Sequence, residues 1–148
     1  NIRDLAYKIT PLANQLLDTK ELISEYVKSV EPTFPFKINL SLPGISNSSD
    51  RGILLTVIRM IELWLKVLND QKSVTEVTIA VAFKPQLIVR IIDNGDTIDD
   101  TIKSREVFQH ILCDKIYSYG GIINISDNAE KNIFSITLPS QYAEPANR

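Results

Sequence analysis

The residues of this 148-residue chain that could do chemistry gather first at Asp93-Asn94-Gly95-Asp96-Thr97. Asp-Asn-Gly is strong turn chemistry by itself, because Asp and Asn bond their own backbone and Gly supplies conformational freedom. Downstream, Lys103 and Arg105 stand at the expected start of a helix. There they could touch a phosphate or form a solvated turn. Asp96, Asp99 and Asp100 put negative charge into the same stretch, which is unfavourable for a phosphate without a cation. The chain has one histidine, His110, and one cysteine, Cys113. That pair cannot supply the usual ligand count of a zinc site, and a lone Cys forms no intrachain disulfide. Cys113 reads as a small core residue and His110 as an ordinary helix residue.

Composition bounds the rest. Lys and Arg number 16 and Asp and Glu 18, a net charge of -2. That balance lacks the electrostatic footprint of a nucleic-acid binder or of a protein held on an anionic membrane. Five glycines, where average usage would give roughly ten, weigh against a long glycine-rich phosphate loop. No apolar run reaches the ~18 residues of a membrane span. The start at Asn1 is neither an initiator Met nor a signal peptide, so a piece of a longer, cytoplasmic protein is expected.

The elements that would position these residues follow from hydrophobic spacing. Ile2, Leu5, Ile9, Leu12 and Leu16 have helical spacing broken by Pro11. Thr19 to Val30 predicts a helix, with Thr19 as a possible cap and Leu22, Ile23, Tyr26, Val27 and Val30 on one face. Residues 36–42 alternate as a half-buried strand. Gly44 and Gly52 flank a polar loop, with Ser49 or Asp50 as N-cap, before a long buried helix over 53–68. Strands are expected at 76–83, 87–93, 122–126 and 132–138, and a helix at 104–119 ended by Gly120-Gly121. A five-residue turn, 127–131, joins the last two strands. Trp64 reads as core or as the lining of a shrunken pocket, and Arg59 and Lys66 as solvated or paired. The order predicts a two-layer α/β sandwich, a mixed and mostly antiparallel sheet with helices on one face.

This order, with an Asp-x-Gly turn after the third strand, resembles the ATP-binding domain of sensor histidine kinases, the GHKL or Bergerat ATPase fold. The nearest flavour resembles kinases that pair with NarL-type regulators. Ile9-Thr10-Pro11 with Leu17-Asp18-Thr19-Lys20-Glu21-Leu22 is similar to that group's junction. Val57-Ile58-Arg59-Met60-Ile61 resembles the start of its asparagine-box helix. Tyr119-Gly120-Gly121-Ile122-Ile123-Asn124-Ile125 and the closing strand to Pro139 are also similar. The resemblance covers about residues 5–139. It implies the end of a dimerisation-helix segment and junction at 1–18, a histidine-kinase-like ATPase domain at 19–139 and a flexible tail at 140–148.

The departures bear on chemistry. The family needs an Asn on the long helix to hold Mg²⁺ and a Glu four residues earlier. An ungapped alignment puts these on Val67 and Leu63, and one register over on Lys66 and Glu62. Val offers no oxygen to a hard cation, and Lys could act only as a point charge on phosphate. In the first glycine box, Asp93 and Gly95 are kept but the second glycine is Thr97. The second box, at Thr101-Ile102-Lys103-Ser104-Arg105, has no glycine, so backbone amides cannot approach a phosphate closely. The resemblance gives Asp93 the role of adenine reader. Asn132 stands in the family's Gly-Thr position and could hydrogen-bond toward Asp93. Asp93, Gly95 and Asn132 thus form a vestigial adenine end.

The resemblance with these losses implies a degenerate signalling or scaffold module of a two-component-like system. It would work without ATP turnover, with no catalytic or metal-binding residue and no cofactor. A response regulator or other signalling protein would be its partner, with homodimerisation through the amino-terminal helix. One alternative is an active kinase ATP-binding domain, using ATP and Mg²⁺ to phosphorylate an upstream His. The other is a histidine phosphotransfer protein with a vestigial ATP domain.

Overall fold

The computed structural model describes residues 19–42, 51–82, 86–96, 111–128 and 131–139. Helix α1 is Thr19–Val30, followed by a short 3-10 turn over Glu31–Thr33 and strand β1 at Lys37–Ser41. Helix α2 is Arg51–Asp70, and strands β2 and β3 are Glu76–Ala82 and Leu87–Asp93. Helix α3 is Ile111–Ser118, and β4 and β5 are Ile122–Asn128 and Lys131–Leu138. The five strands form one sheet in the order β1-β2-β3-β5-β4. Only β1 and β2 run parallel, with α2 as their crossover, and every other neighbouring pair is antiparallel. This is the mixed, mostly antiparallel α/β sheet expected from the sequence.

Alternation decides which face is inward. Val77, Ile79 and Val81 on β2, Leu87, Val89 and Ile91 on β3, and Phe134, Ile136 and Leu138 on β5 are all buried. They join one core with Leu22, Ile23 and Tyr26 of α1, the apolar stripe of α2, and Cys113 and Ile116 of α3. The intervening residues, such as Arg90 and Lys131, face outward. The same period carries Asp93 and Asn132, at the ends of their strands, onto the inner face.

Two boundaries differ from the sequence expectation. Gly52 lies inside α2 rather than in the loop before it. The Thr56 hydroxyl donates to the Gly52 carbonyl at 2.9 Å, an i−4 bond that belongs to a helix already under way. The turn expected over 127–131 is shorter, because Asp127 pairs with Asn132 and Asn128 with Lys131 in the ladder. Pairing along the long β5 strand overrides the turn preference of Asp and Asn. Helix α3 ends as expected, in a Schellman arrangement. The Gly121 amide donates to the Ile116 carbonyl and the Gly120 amide to the Tyr117 carbonyl, both at 2.9 Å. Gly120 takes φ +80 there, which only glycine adopts cheaply. The described part of this helix begins at Ile111, and its expected first residues, 104–110, lie outside the described residues. So do 1–18, 43–50, 83–85, 97–103, 129–130 and 140–148, which include the expected dimerisation segment, the expected caps Ser49 and Asp50, and Thr97.

Candidate functional site

The site begins with β3. Its last residue, Asp93, is 2% exposed and stands in register with Asn132 of β5, 4% exposed. A buried carboxylate needs donors, and Asp93 finds two for one of its oxygens. Oδ1 accepts from the Gly95 amide at 2.9 Å, which closes the turn, and from Asn132 Nδ2 at 2.9 Å. The same Nδ2 donates to the carbonyls of Gly95 at 3.2 Å and Asp96 at 3.0 Å. Asp93 Oδ2 is buried and has no partner. Turn chemistry and the pairing of Asp93 with Asn132 are therefore present together.

The turn is also tied on its other side to the segment between α2 and β2. Asn94 Oδ1 accepts from the amides of Thr75 and Glu76, each at 3.1 Å, and Asn94 Nδ2 donates to Thr75 Oγ1 at 2.8 Å. The Asp96 amide donates to Ser73 Oγ at 2.9 Å. Gly95 fits because it has no side chain. A Cβ there would lie 2.5 Å from Val74 Cγ2 and 3.1 Å from Ser73 Oγ. Ser73, Thr75 and the second role of Asn94 were not visible in the sequence. Their only signal is a polar pair flanking the core residue Val74 just before a strand.

Helix α2 presents a different picture. Trp64 is fully buried and stacks on Phe134 of β5, with centroids 4.4 Å apart and planes 11° apart. It is core, and its indole N–H has no hydrogen-bond partner. Leu63 and Val67 are half-buried and pack against the core. Lys66 Nζ lies 3.5 Å from Glu62 Oε1, so this cation is paired along the helix. Glu62 also lies near Tyr26 of α1, where its charge and above all burial push the phenol well above its ordinary range. No group of three or more His, Cys, Asp or Glu able to hold a metal occurs among the described residues. No described helix is long and apolar enough to cross a membrane. Lys103, Arg105, His110, Asp99 and Asp100 lie outside the described residues.

No protein-family model matches the chain, and no curated protein matches it by sequence. Solved structures do. The chain is similar to a blue-light activated histidine kinase from Erythrobacter litoralis, with TM-score 0.66 and 13% identity over 93% of this chain and 46% of that one. It is similar to the Acinetobacter baumannii histidine kinase AdeS, with TM-score 0.63 and 18% identity over 93% and 76%. It is also similar to the catalytic domain of histidine kinase ThkA, with TM-score 0.60 and 14% identity over 84% and 93%. The chain thus spans about half of the Erythrobacter protein and nearly all of the ThkA domain. At these identities the likeness is one of fold, and the fold is that of histidine kinase ATP-binding domains.

Proposed function

With a histidine kinase ATP-binding fold as its frame, we propose that this chain is a signalling or scaffold module of a two-component-like system that does not turn over ATP. The observation that carries this reading lies on α2. A Mg²⁺ ion requires oxygen ligands, and the ungapped positions Leu63 and Val67 have none. In the neighbouring register the Glu62 carboxylate is engaged by Lys66 at 3.5 Å. The glycine losses at Thr97 and over 101–105 support the same conclusion at the phosphate end. Such a module acts through contacts with a response regulator or similar partner, and through dimerisation by its amino-terminal segment.

Asp93 and Asn132 favour one refinement. Their buried pairing keeps a base-facing end in place while the phosphate end is lost. Calorimetric titration with ATP, with and without Mg²⁺, tests the proposal. No Mg²⁺-dependent binding is expected. Micromolar affinity that disappears with chelator would overturn it in favour of an active kinase domain acting on an upstream His.

A further inference from the structure

Strand β4 forms one rim of the sheet, and among the described residues no strand pairs with its outer side. An open edge carries a row of backbone N–H and C=O groups ready to pair with another strand. Edges are usually blunted by a lysine, a proline, a bulge or short length. The opposite rim, β1, has such protection: it is five residues long and starts at the exposed Lys37, just after Pro35 and Phe36. Strand β4 has none. It is seven residues long, pairs with β5 without a bulge, and carries no charge and no proline from Ile122 to Ser126. The exposed large apolar side chains among the described residues, Ile122 at 63% and Tyr117 at 46%, both lie around the start of this strand. Asn124 and Ser126 are exposed on the same face as Ile122. On the helix-covered face, Ile123 is buried but Ile125 is only half-buried against the core.

We propose that β4 pairs antiparallel with β4 of a second copy of this chain, about a two-fold axis at Asn124, so that two five-stranded sheets become one. Directly opposite residues of an antiparallel pair share a face, so burial selects the register. With Asn124 opposite Asn124, Ile123 of each copy meets Ile125 of the other on the helix-covered face. The half-buried Ile125 is then covered by an isoleucine, and the exposed Ile122 lies beside Ser126 on the other face. An axis at Ile125 would set Ile123 against Asp127, and an axis at Ile123 would set Ile125 against Gly121. The uncharged edge singles out a copy of itself as the occupant. Across a two-fold axis a charge near the centre meets its own kind, and Ile122 to Ser126 contain none. Such an isologous contact closes at two copies. It is separate from dimerisation by the amino-terminal segment and does not depend on the signalling reading.

Sedimentation equilibrium of the intact chain tests this. The wild type should dimerise. Asn124→Lys and Asn124→Asp each set like charges face to face, and each should weaken the dimer about 10-fold or more. An equimolar mixture of the two variants should restore it, because opposite charges then meet. Asn124 is exposed, so both variants should fold, which circular-dichroism melts check. Asn124→Cys gives a measurement independent of those variants: it should form a disulfide-linked dimer under mild oxidation, the native Cys113 being buried. A wild type that stays monomeric at millimolar concentration overturns the proposal. A dimer that both charged variants leave unchanged also overturns it, assigns the contact to another surface such as the amino-terminal segment, and leaves the signalling function untouched. A mixture no more dimeric than either variant alone overturns it as well.

Discussion

Asn132 Nδ2 lies 2.9 Å from Asp93 Oδ1, joining the ends of β3 and β5 across 39 positions of sequence. That contact ties the start of β5 to the turn that follows β3. The same nitrogen reaches the carbonyls of Gly95 and Asp96. The pair is therefore a structural staple as much as a candidate site.

Removing the staple should cost stability. Asn132→Ala takes one of two donors from Asp93 Oδ1 and the side-chain donor from the Gly95 and Asp96 carbonyls. We expect a loss of about 1–3 kcal/mol, the range for leaving a buried polar group unsatisfied. The midpoint of urea unfolding measures it. Asn132→Asp should cost more, because it sets a second carboxylate against the first. A midpoint unchanged in Asn132→Ala would show that the three contacts contribute nothing net.

Gly95→Ala tests the packing of the turn. The added methyl would meet Val74 Cγ2 at 2.5 Å, and Val74 is itself buried. Overpacking of this kind costs about 1–3 kcal/mol, read as a lowered Tm. Val74→Ala in the same chain opens room for the methyl, so the double variant should be less destabilised than the two single changes add up to. Strict additivity would place the strain elsewhere.

Cys113 gives stability a pH dependence. Burial, and secondarily Asp114, pushes its thiol from an ordinary value of 9.0 up to about 11. Between those values the unfolded chain releases the proton while the folded chain keeps it. The unfolded state then binds fewer protons, so stability falls as pH rises through that window. Below pH 9 the thiol contributes no slope. Urea midpoints from pH 8 to 11 should decline, and Cys113→Ala should flatten part of the decline. Tyr26 shifts the same way from its ordinary value of 10.0 and accounts for some of what remains.

Much of this was legible along the chain because inward residues recur at every second position. Residues 87, 89, 91 and 93, and 132, 134, 136 and 138, mark the inner face of β3 and β5, so the inward orientation of Asp93 and Asn132 was within reach of periodicity. Their partnership was suggested only through the family resemblance, since alternation carries no register between strands this far apart. The bonds from Asn94 to Thr75 and Glu76 were invisible for the same reason: they join segments 18 and 19 residues apart through tertiary placement. Gly52 misled because glycine punctuates loops more often than it opens helices. Asp127 and Asn128 misled because local turn preference yields to a ladder that continues beside them.

The strand order has a consequence for how the chain assembles. Strands β2, β3, β5 and β4 are joined by antiparallel pairings, and two of those joints, β2–β3 and β4–β5, connect strands adjacent in sequence. Strand β1 is five residues long, sits at the rim, and meets β2 in parallel only after α2 has crossed over. Its partners, such as Lys37 and Glu76, are as far apart in sequence as Asp93 and Asn132 of the β3–β5 pairing, so both pairings bear an entropic cost of loop closure before any contact rewards it. The two hairpins, β2–β3 and β4–β5, can therefore form before either long-range pairing. Strand β1 follows directly on α1 and its 3-10 turn. The amino-terminal side of the domain is thus attached to the sheet through a short strand that is paired on one side alone.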